Sequence, residues 1–397
     1  MGLILAINAG SSSLKFALFD AAKEDLPLLA RGLAEGLGED MPGHATFHVE
    51  TVEGLHHTQV LDDGVEAADH DSALDALLKW LDQSHPGRGV ESVSHRVVHG
   101  GVSLLDPVPV TAEVLSCLRE LIPLAPLHQP HNLEGIEAAT RAFPQALQVA
   151  CFDTAFHRSH PFVADTFALP RVYYDEGIRR YGFHGLSYEY IARRLKARYP
   201  NLHAGRVIVA HLGNGASMCA MREGRSLAST MGFTALDGLP MGTRSGQIDP
   251  GVLLYLIQQK GLSAADLTDL LYKGAGLKGM SGLSNDVRTL ESANSLPAQD
   301  ALAYFADRCR REIGGLAASI GGLDALVLTG GIGENAVQMR QRLLHDMQWI
   351  GIELDVEANQ ARRTVISTPQ SAVTVLVMPT NEERMLAEHA LELRAQD

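Results

Sequence analysis

One short pattern occurs twice in this chain, and it limits what the chain can fold into. LILAINAGSSSLKFALFD, from Leu3 to Asp20, is an apolar run, a Gly/Ser turn and a second run that alternates. VIVAHLGNGASMCAM, from Val207 to Met221, repeats the design. In each copy the first run reads as a buried strand and the second as its hairpin partner. LVLTGGIGEN, from Leu326 to Asn335, is a third glycine turn, but it leads from a strand into a helical stretch. Turns of this kind present bare backbone N–H groups to an anion. A hairpin-led unit that starts again in the second half predicts two similar α/β domains, with a polyphosphate held between them.

The bulk numbers narrow the partners. At 397 residues two domains are the default, and 46% apolar with 20% charged residues is ordinary for a globular enzyme. A net charge of −14 argues against nucleic acid and against an anionic membrane, since both need a basic surface. It leaves room for an anionic substrate in a locally basic pocket. Cys117, Cys151, Cys219 and Cys309 have no paired spacing and read as free thiols in a reducing compartment. No apolar run is long enough to span a bilayer, and the N-terminus reads as a strand and not as a signal peptide. The expected location is the cytoplasm.

Along the chain, strands are predicted at Leu3–Asn8, Lys15–Asp20, near Thr46–Thr51 and His57–Leu61, then at Val90–Val98 and Ala146–Phe152. Helices are predicted at Asp71–Gln83, with Asp69 or Asp71 as cap, near Ala112–Leu121 and at Asn132–Ala142. The second half predicts strands at Val207–Leu212, Ser217–Met221, Ala325–Thr329 and Val373–Met378. Its helices fall at about Tyr188–Arg198, Gly251–Gln259, Ala264–Tyr272, Pro297–Ile320, Asn335–Leu344 and Glu382–Leu393. Asp249 before Pro250 reads as a helix cap and needs no catalytic role.

NAGSSSLK is not a Walker loop, because a strand follows it and the GK[ST] spacing is absent. Gly10 permits the bend, Ser11, Ser12 and Ser13 add hydroxyl donors, and Lys15 adds a point charge. An ordinary Ser/Gly turn accounts for the same residues. HLGNGAS, with His211, Gly213, Asn214 and Gly215, gains its weight from the repetition, since a lone Asn-Gly hairpin is common. GGIGEN bares the backbone for a flat ring or an anion at a helix start, or is only a tight strand–helix turn. Arg96 in SHRVVHGG and Arg244 in MGTRSG are flanked by small residues, which suits a guanidinium reaching into a cleft. A surface ion pair is the alternative for both. Asp153 directly follows a strand, where α/β folds present ligands, and a turn cap would look the same. His184 stands in RRYGFHG, and Glu382 opens a helix in PTNEER, where a helix-dipole role also fits. His128 and His131 in LHQPHN have a weak metal-like spacing, but Pro130 between them favours a loop. There is no Ser-His-Asp order, zinc spacing or dinucleotide fingerprint. Phosphate-cradling loops, two isolated arginines and an acid near each end of the chain are the inventory of phosphoryl transfer.

These stretches, from NAGSSSLK through MGFT and GTRSG to the last helix, resemble the acetate kinase family in order and over the full length. The resemblance implies an α/β fold of two RNase-H-like (actin-like ATPase) domains built from a duplicated βββαβαβα core, with the nucleotide cleft between them. Residues 1–152 with 381–397 would form the first domain, closed by the C-terminal helix, and residues 153–380 the second, which would also dimerise. It implies reversible transfer of a phosphoryl group from ATP to acetate, with magnesium, or manganese in its place, and a homodimer. Arg96 and Arg244 would bind the carboxylate and the moving group, His184 would donate to it, and Asp153 would be the essential acid. Val98, Leu127 and Phe183 match the walls around the acetate methyl. Ser11, Ser13, Lys15, His211, Leu212, Gly213, Asn214 and Gly215 would meet the ATP phosphates. Asp286, Val287, Arg288, Gly331, Ile332, Gly333, Glu334 and Asn335 would hold the adenosine, and Asn8 and Glu382 match the magnesium positions. The stretch GFTALDG departs from the family, which often has Pro and Glu there. Ala235 in place of the bulkier Pro would widen the methyl pocket, which leaves the choice between acetate and propionate open.

Overall fold

The computed structural model of the chain describes residues 2–23, 25–38, 45–61 and 67–395. It divides into two compact units, Met1–Ala155 with Asn381–Asp397, and Phe156–Thr380. Asp153, which the sequence predicts to open the second domain, falls in the first unit.

The first unit is one sheet with helices. Its strands are β1 (Leu3–Ala9), β2 (Ser13–Asp20), β3 (Leu28–Glu35), β4 (Thr46–Thr51), β5 (His56–Val60), β6 (Val90–Val97), β7 (Val108–Pro109) and β8 (Leu147–Phe152), in the order β5-β4-β3-β2-β1-β6-β8-β7. β1, β2 and β3 run antiparallel, and β6 and β8 run parallel to β1. β1 is central and covered on both sides, which is why Leu3 to Ile7 form an unbroken apolar run without alternation. Helix His70–Ser84 lies on one face, where Leu74, Leu77, Trp80 and Leu81 join Leu3, Leu5, Ile7 and Phe16. Its cap is Asp69, which accepts from the Ser72 N–H at 2.9 Å. Helix Glu382–Arg394 packs on β1 and β6, burying Met385, Leu386 and Ala390. Strand β3 is absent from the sequence expectation because Gly32 interrupts its pattern. The glycine is there for space: Phe16 of β2 and Phe47 of β4 stack at 5.7 Å across it, and a Cβ would lie 2.2 Å from the Phe16 ring.

The second unit repeats the plan. Its strands β9 (Arg206–Leu212), β10 (Ala216–Arg222), β11 (Arg225–Ser229), β12 (Ala325–Thr329) and β13 (Thr374–Val377) lie in the order β11-β10-β9-β12-β13. Again three antiparallel strands are followed by two that run parallel to the first. This order and these directions match β3-β2-β1-β6-β8, so the duplicated hairpin marks a duplicated sheet. β11 is the second strand that the sequence leaves out. It turns back from β10 through Glu223 and Gly224, both at positive φ (54° and 72°), a turn that keeps the twist of the flanking strands. Helix Leu296–Ile320 covers β9, β10 and β11.

Candidate active site

Parallel pairing in the first unit places two charges side by side. Arg96 is near the end of β6, and Asp153 follows β8, its N–H donating to the Val97 carbonyl at 3.0 Å. The Arg96 Nε donates to both Asp153 oxygens at 3.2 and 3.1 Å, and Nη2 donates to Oδ2 at 2.7 Å. Glu382 Oε2 lies 3.5 Å from Nη1. The Asp153 side chain is 2% exposed and that of Arg96 is 21% exposed, so this is no surface ion pair. Burial alone would lower the Arg96 pKa. The carboxylates of Asp153, Glu382 and Glu383 outweigh it and hold the guanidinium above the ordinary arginine range. Asp153 therefore fixes the direction in which Arg96 points.

Above the same strand ends stands the first hairpin turn, where Gly10 N–H donates to the Ser13 carbonyl at 2.8 Å. Asn8 pairs across it with Lys15; Lys15 and Ser11 are exposed and Ser13 is half-buried. Asn132 escaped the sequence reading, yet it ties these parts together. Its Nδ2 donates to the Ala9 carbonyl at 2.9 Å, and its Oδ1 accepts from the Val98 N–H at 3.0 Å. One buried amide thus fixes the ends of β1 and β6. Asn132 lies in helix Gln129–Ala142, whose first turn contains Pro130, so HQPHN starts a helix and is not the expected loop. His131 turns outward to Glu134 at 3.0 Å. Val98 is half-buried and Leu127 exposed.

In the second unit His184 precedes helix Gly185–Arg198 at φ 58°, a left-handed conformation uncommon for a residue with a side chain. Its ring stacks on His211 with centroids 4.3 Å apart. Its Nδ1 lies 2.8 Å from Ser217 Oγ, which also bonds the buried Tyr188 hydroxyl. Gly215 allows this approach, since a Cβ there would stand 3.2 Å from His184 Nε2. Ser217 and Tyr188 carry no sequence signal, because an inward Ser or Tyr beside a strand end is ordinary core. Phe183 is buried at 3% exposure. Arg244 donates through Nη1 to the Ala235 carbonyl at 3.3 Å, so the departure at Ala235 touches this arginine through its backbone. The Arg244 loop is itself held by Gly242 N–H on the Asn214 carbonyl and Met241 N–H on the Arg244 carbonyl, both at 3.0 Å.

Eight of the expected nucleotide residues surround one cavity of about 290 Å³: Gly213, Asn214, Asp286, Val287, Arg288, Gly331, Ile332 and Asn335. Asp286 caps helix Val287–Ser292 and bonds the exposed Arg288, whose guanidinium holds the carboxyl below its usual range. Gly331 begins the cavity wall within the single helical turn Gly330–Asn335. Gly333 and Glu334 are not part of that wall. The Glu334 carboxylate folds back to accept from the Gly330 and Thr380 N–H groups at 2.9 and 3.2 Å, which is a structural task. Leu212, His211 and Gly215 also lie outside the lining.

Two sheets of one strand order, each led by a hairpin whose turn faces a charged or glycine-lined site, define the class: a protein of the actin-like ATPase fold. A profile of the Acetokinase family matches residues 3–388, and the chain belongs to that family. It is 56% identical to an acetate kinase from Methylocella silvestris over 396 residues, covering 98% of this chain and 97% of that one. Among solved structures it resembles an acetate kinase from Porphyromonas gingivalis, with a TM-score of 0.89, 37% identity, and 99% and 100% of the two chains covered. It also resembles a propionate kinase from Francisella tularensis, with a TM-score of 0.90, 35% identity, and 98% and 99% covered.

Proposed function

We propose that the protein moves the γ-phosphoryl group of ATP to acetate and back, with acetyl phosphate and ADP as the other pair. The observation that carries this reading is the shared cavity: three separate stretches of chain, around residues 213, 287 and 332, converge on one space of about 290 Å³. That lies at the small end of ligand sites and suits a nucleoside. The chemistry asks little covalently of the protein. One acetate oxygen bonds to the phosphorus as the bond to ADP breaks, and no proton is gained or lost. The obstacle is repulsion between two anions, and Arg96 and Arg244 are the groups assigned to cancel it. His184 donates to the phosphoryl oxygens, and Val98, Leu127 and Phe183 face the methyl.

Magnesium, or manganese in its place, fits the oxygen donors Asn8 and Glu382. Among the described residues no group of three or more His, Cys, Asp or Glu side chains makes a cage of its own. When bound, the ion would lower the charge of the nucleotide phosphates. Trapping with hydroxylamine tests the reading: hydroxamate should form only when acetate and ATP are both present. ATP hydrolysis that ignores acetate would contradict it.

A homodimer belongs to the same proposal. Helix Pro250–Lys260 buries none of its residues and exposes Val252, Leu254, Tyr255 and Ile257, an apolar surface that a second copy would cover. Light scattering should give twice the chain mass of 42.8 kDa, and a mass near one chain would refute it. Among the described residues no helix is long and apolar enough to cross a membrane. None of the four cysteines forms a disulfide, which supports a reducing compartment such as the cytoplasm.

A further inference from the structure

Behind the Gly182–His184 turn lies a buried row of polar side chains that the binding scheme above does not use. His157 Nε2 lies 2.9 Å from the Phe183 carbonyl, and its Nδ1 lies 2.8 Å from Ser226 Oγ. His160 Nε2 is 2.7 Å from the same hydroxyl, and Cys219 Sγ is 3.1 Å from it. His157, Ser226 and Cys219 have no exposed surface.

The protons in this row follow from elementary rules. A carbonyl only accepts, so His157 carries its hydrogen on Nε2. Burial keeps the ring neutral, its pKa down to about 4, so Nδ1 is bare and must accept. Ser226 supplies its single proton there. The hydroxyl oxygen then accepts from His160 Nε2–H and faces the Cys219 thiol, which burial pushes up to about 12 and so keeps protonated, its one hydrogen shared with the Ala220 carbonyl at 3.8 Å. What remains is His160 Nδ1, a bare nitrogen that is buried without a hydrogen-bond partner.

The row ends on the strained turn. Gly182 and His184 both have positive φ, 74° and 58°, and a Cβ on Gly182 would lie 2.6 Å from the His157 ring. The His157 ring also meets Tyr188 edge-on at 5.5 Å, and the Tyr188 hydroxyl bonds Ser217 behind His184 Nδ1. His157 therefore supports His184 by two routes, one through the backbone and one through Tyr188.

We infer that His157 is a positioning residue for phosphoryl transfer: its Nε2–H, fixed by the Ser226 and His160 relay, holds the Phe183 carbonyl and with it the left-handed His184. The inference rests on the reading in which His184 acts on the phosphoryl group. A ¹⁵N NMR spectrum of histidine-labelled protein at neutral pH, with His157 assigned from the H157Q spectrum, should show it as the neutral Nε2–H form. A neutral Nδ1–H form overturns the inference whether or not any variant folds. In kinetics, His157→Leu should lower kcat by about 10- to 100-fold, the scale of a small misplacement of reacting groups. The KM for ATP should hold, and His157→Gln, which keeps an N–H donor, should recover most of the loss. Wild-type kcat in H157L, a KM change with kcat unchanged, or no recovery in H157Q overturns it. His184→Asn measured alongside separates the two ideas. Full activity in H184N fails the reading of His184, whereas an inactive H184N beside a fully active H157L fails only the inference drawn from the row.

Discussion

Arg96 and Arg244 carry the same charge in different company. Arg96 is gripped by Asp153 and faced by Glu382, so Arg96→Ala would leave a buried carboxylate without its guanidinium and cost stability as well as rate. Arg244 donates to the Ala235 carbonyl and lies beside the Met241 sulfur at 3.6 Å, and Arg244→Ala probes charge compensation at the second arginine. It should lose about 10² or more in turnover in initial-rate assays, given what phosphate-clamping arginines contribute elsewhere, and wild-type turnover would end that assignment. Ala235 offers a finer test. One methylene is worth about 1–3 kcal/mol in such pockets, so Ala235→Pro should lower kcat/KM for propionate more than for acetate. An unchanged ratio would show that position 235 does not set the pocket. The sequence drew attention to Arg96 at a strand end and to Arg244 in the Gly-rich MGTRSG loop. The hand that orients Arg96 was legible only in part: Asp153 stood out at a strand end, but Asn132 is an ordinary helical Asn until the ends of β1 and β6 are seen to meet on it.

Glycine turns decide geometry at the next scale. Gly330 sits at φ 77°, and a Cβ there would lie 2.7 Å from the Leu212 carbonyl oxygen. Gly330→Ala should push the GGIGEN turn away from β9, raise the KM for ATP by about 10-fold or more, and lower Tm, as strain at a positive-φ site does. Thermal melts and initial rates read both effects, and a variant normal in each would mean that the turn does not place Gly331 and Ile332. Arg340 shows how firmly the turn is otherwise held. It is buried, donates through Nη1 to the Gly333 and Glu334 carbonyls at 3.0 and 2.7 Å, and through Nε to Asn359 at 2.7 Å. The three turns and most strands were readable because buried strands beside glycine leave a strong local pattern. β3 and β11 were not, since Gly32 serves a contact from a neighbouring strand and β11 has only five residues. The expected helix Asn335–Leu344 is broken at Ala336, a boundary that local propensity does not reveal.

At the scale of the molecule, two sheets of one order explain why the strongest sequence signal was repetition and not any single motif. Each unit also carries buried neutral histidine. Burial lowers His95 and His157 to about 4 and His160 to about 2, against 6.5 when exposed. Because the unfolded chain takes up these protons first, stability should fall as pH drops below about 6.5, by about 1.4 kcal/mol per pH unit for each histidine, down to about pH 4. Urea midpoints between pH 7 and 5 measure this, His95→Gln should make the slope shallower, and a flat profile would contradict the burial described. The proposed transfer needs guanidinium charge to cancel the repulsion between acetate and the ATP phosphate. The most direct measurement is acyl phosphate, trapped as hydroxamate, formed by the wild-type enzyme and by R244A from ATP with and without acetate. The account predicts acetate-dependent product from the wild type and about a hundredth of it or less from R244A. Equal product from both, or none from the wild type, would contradict it.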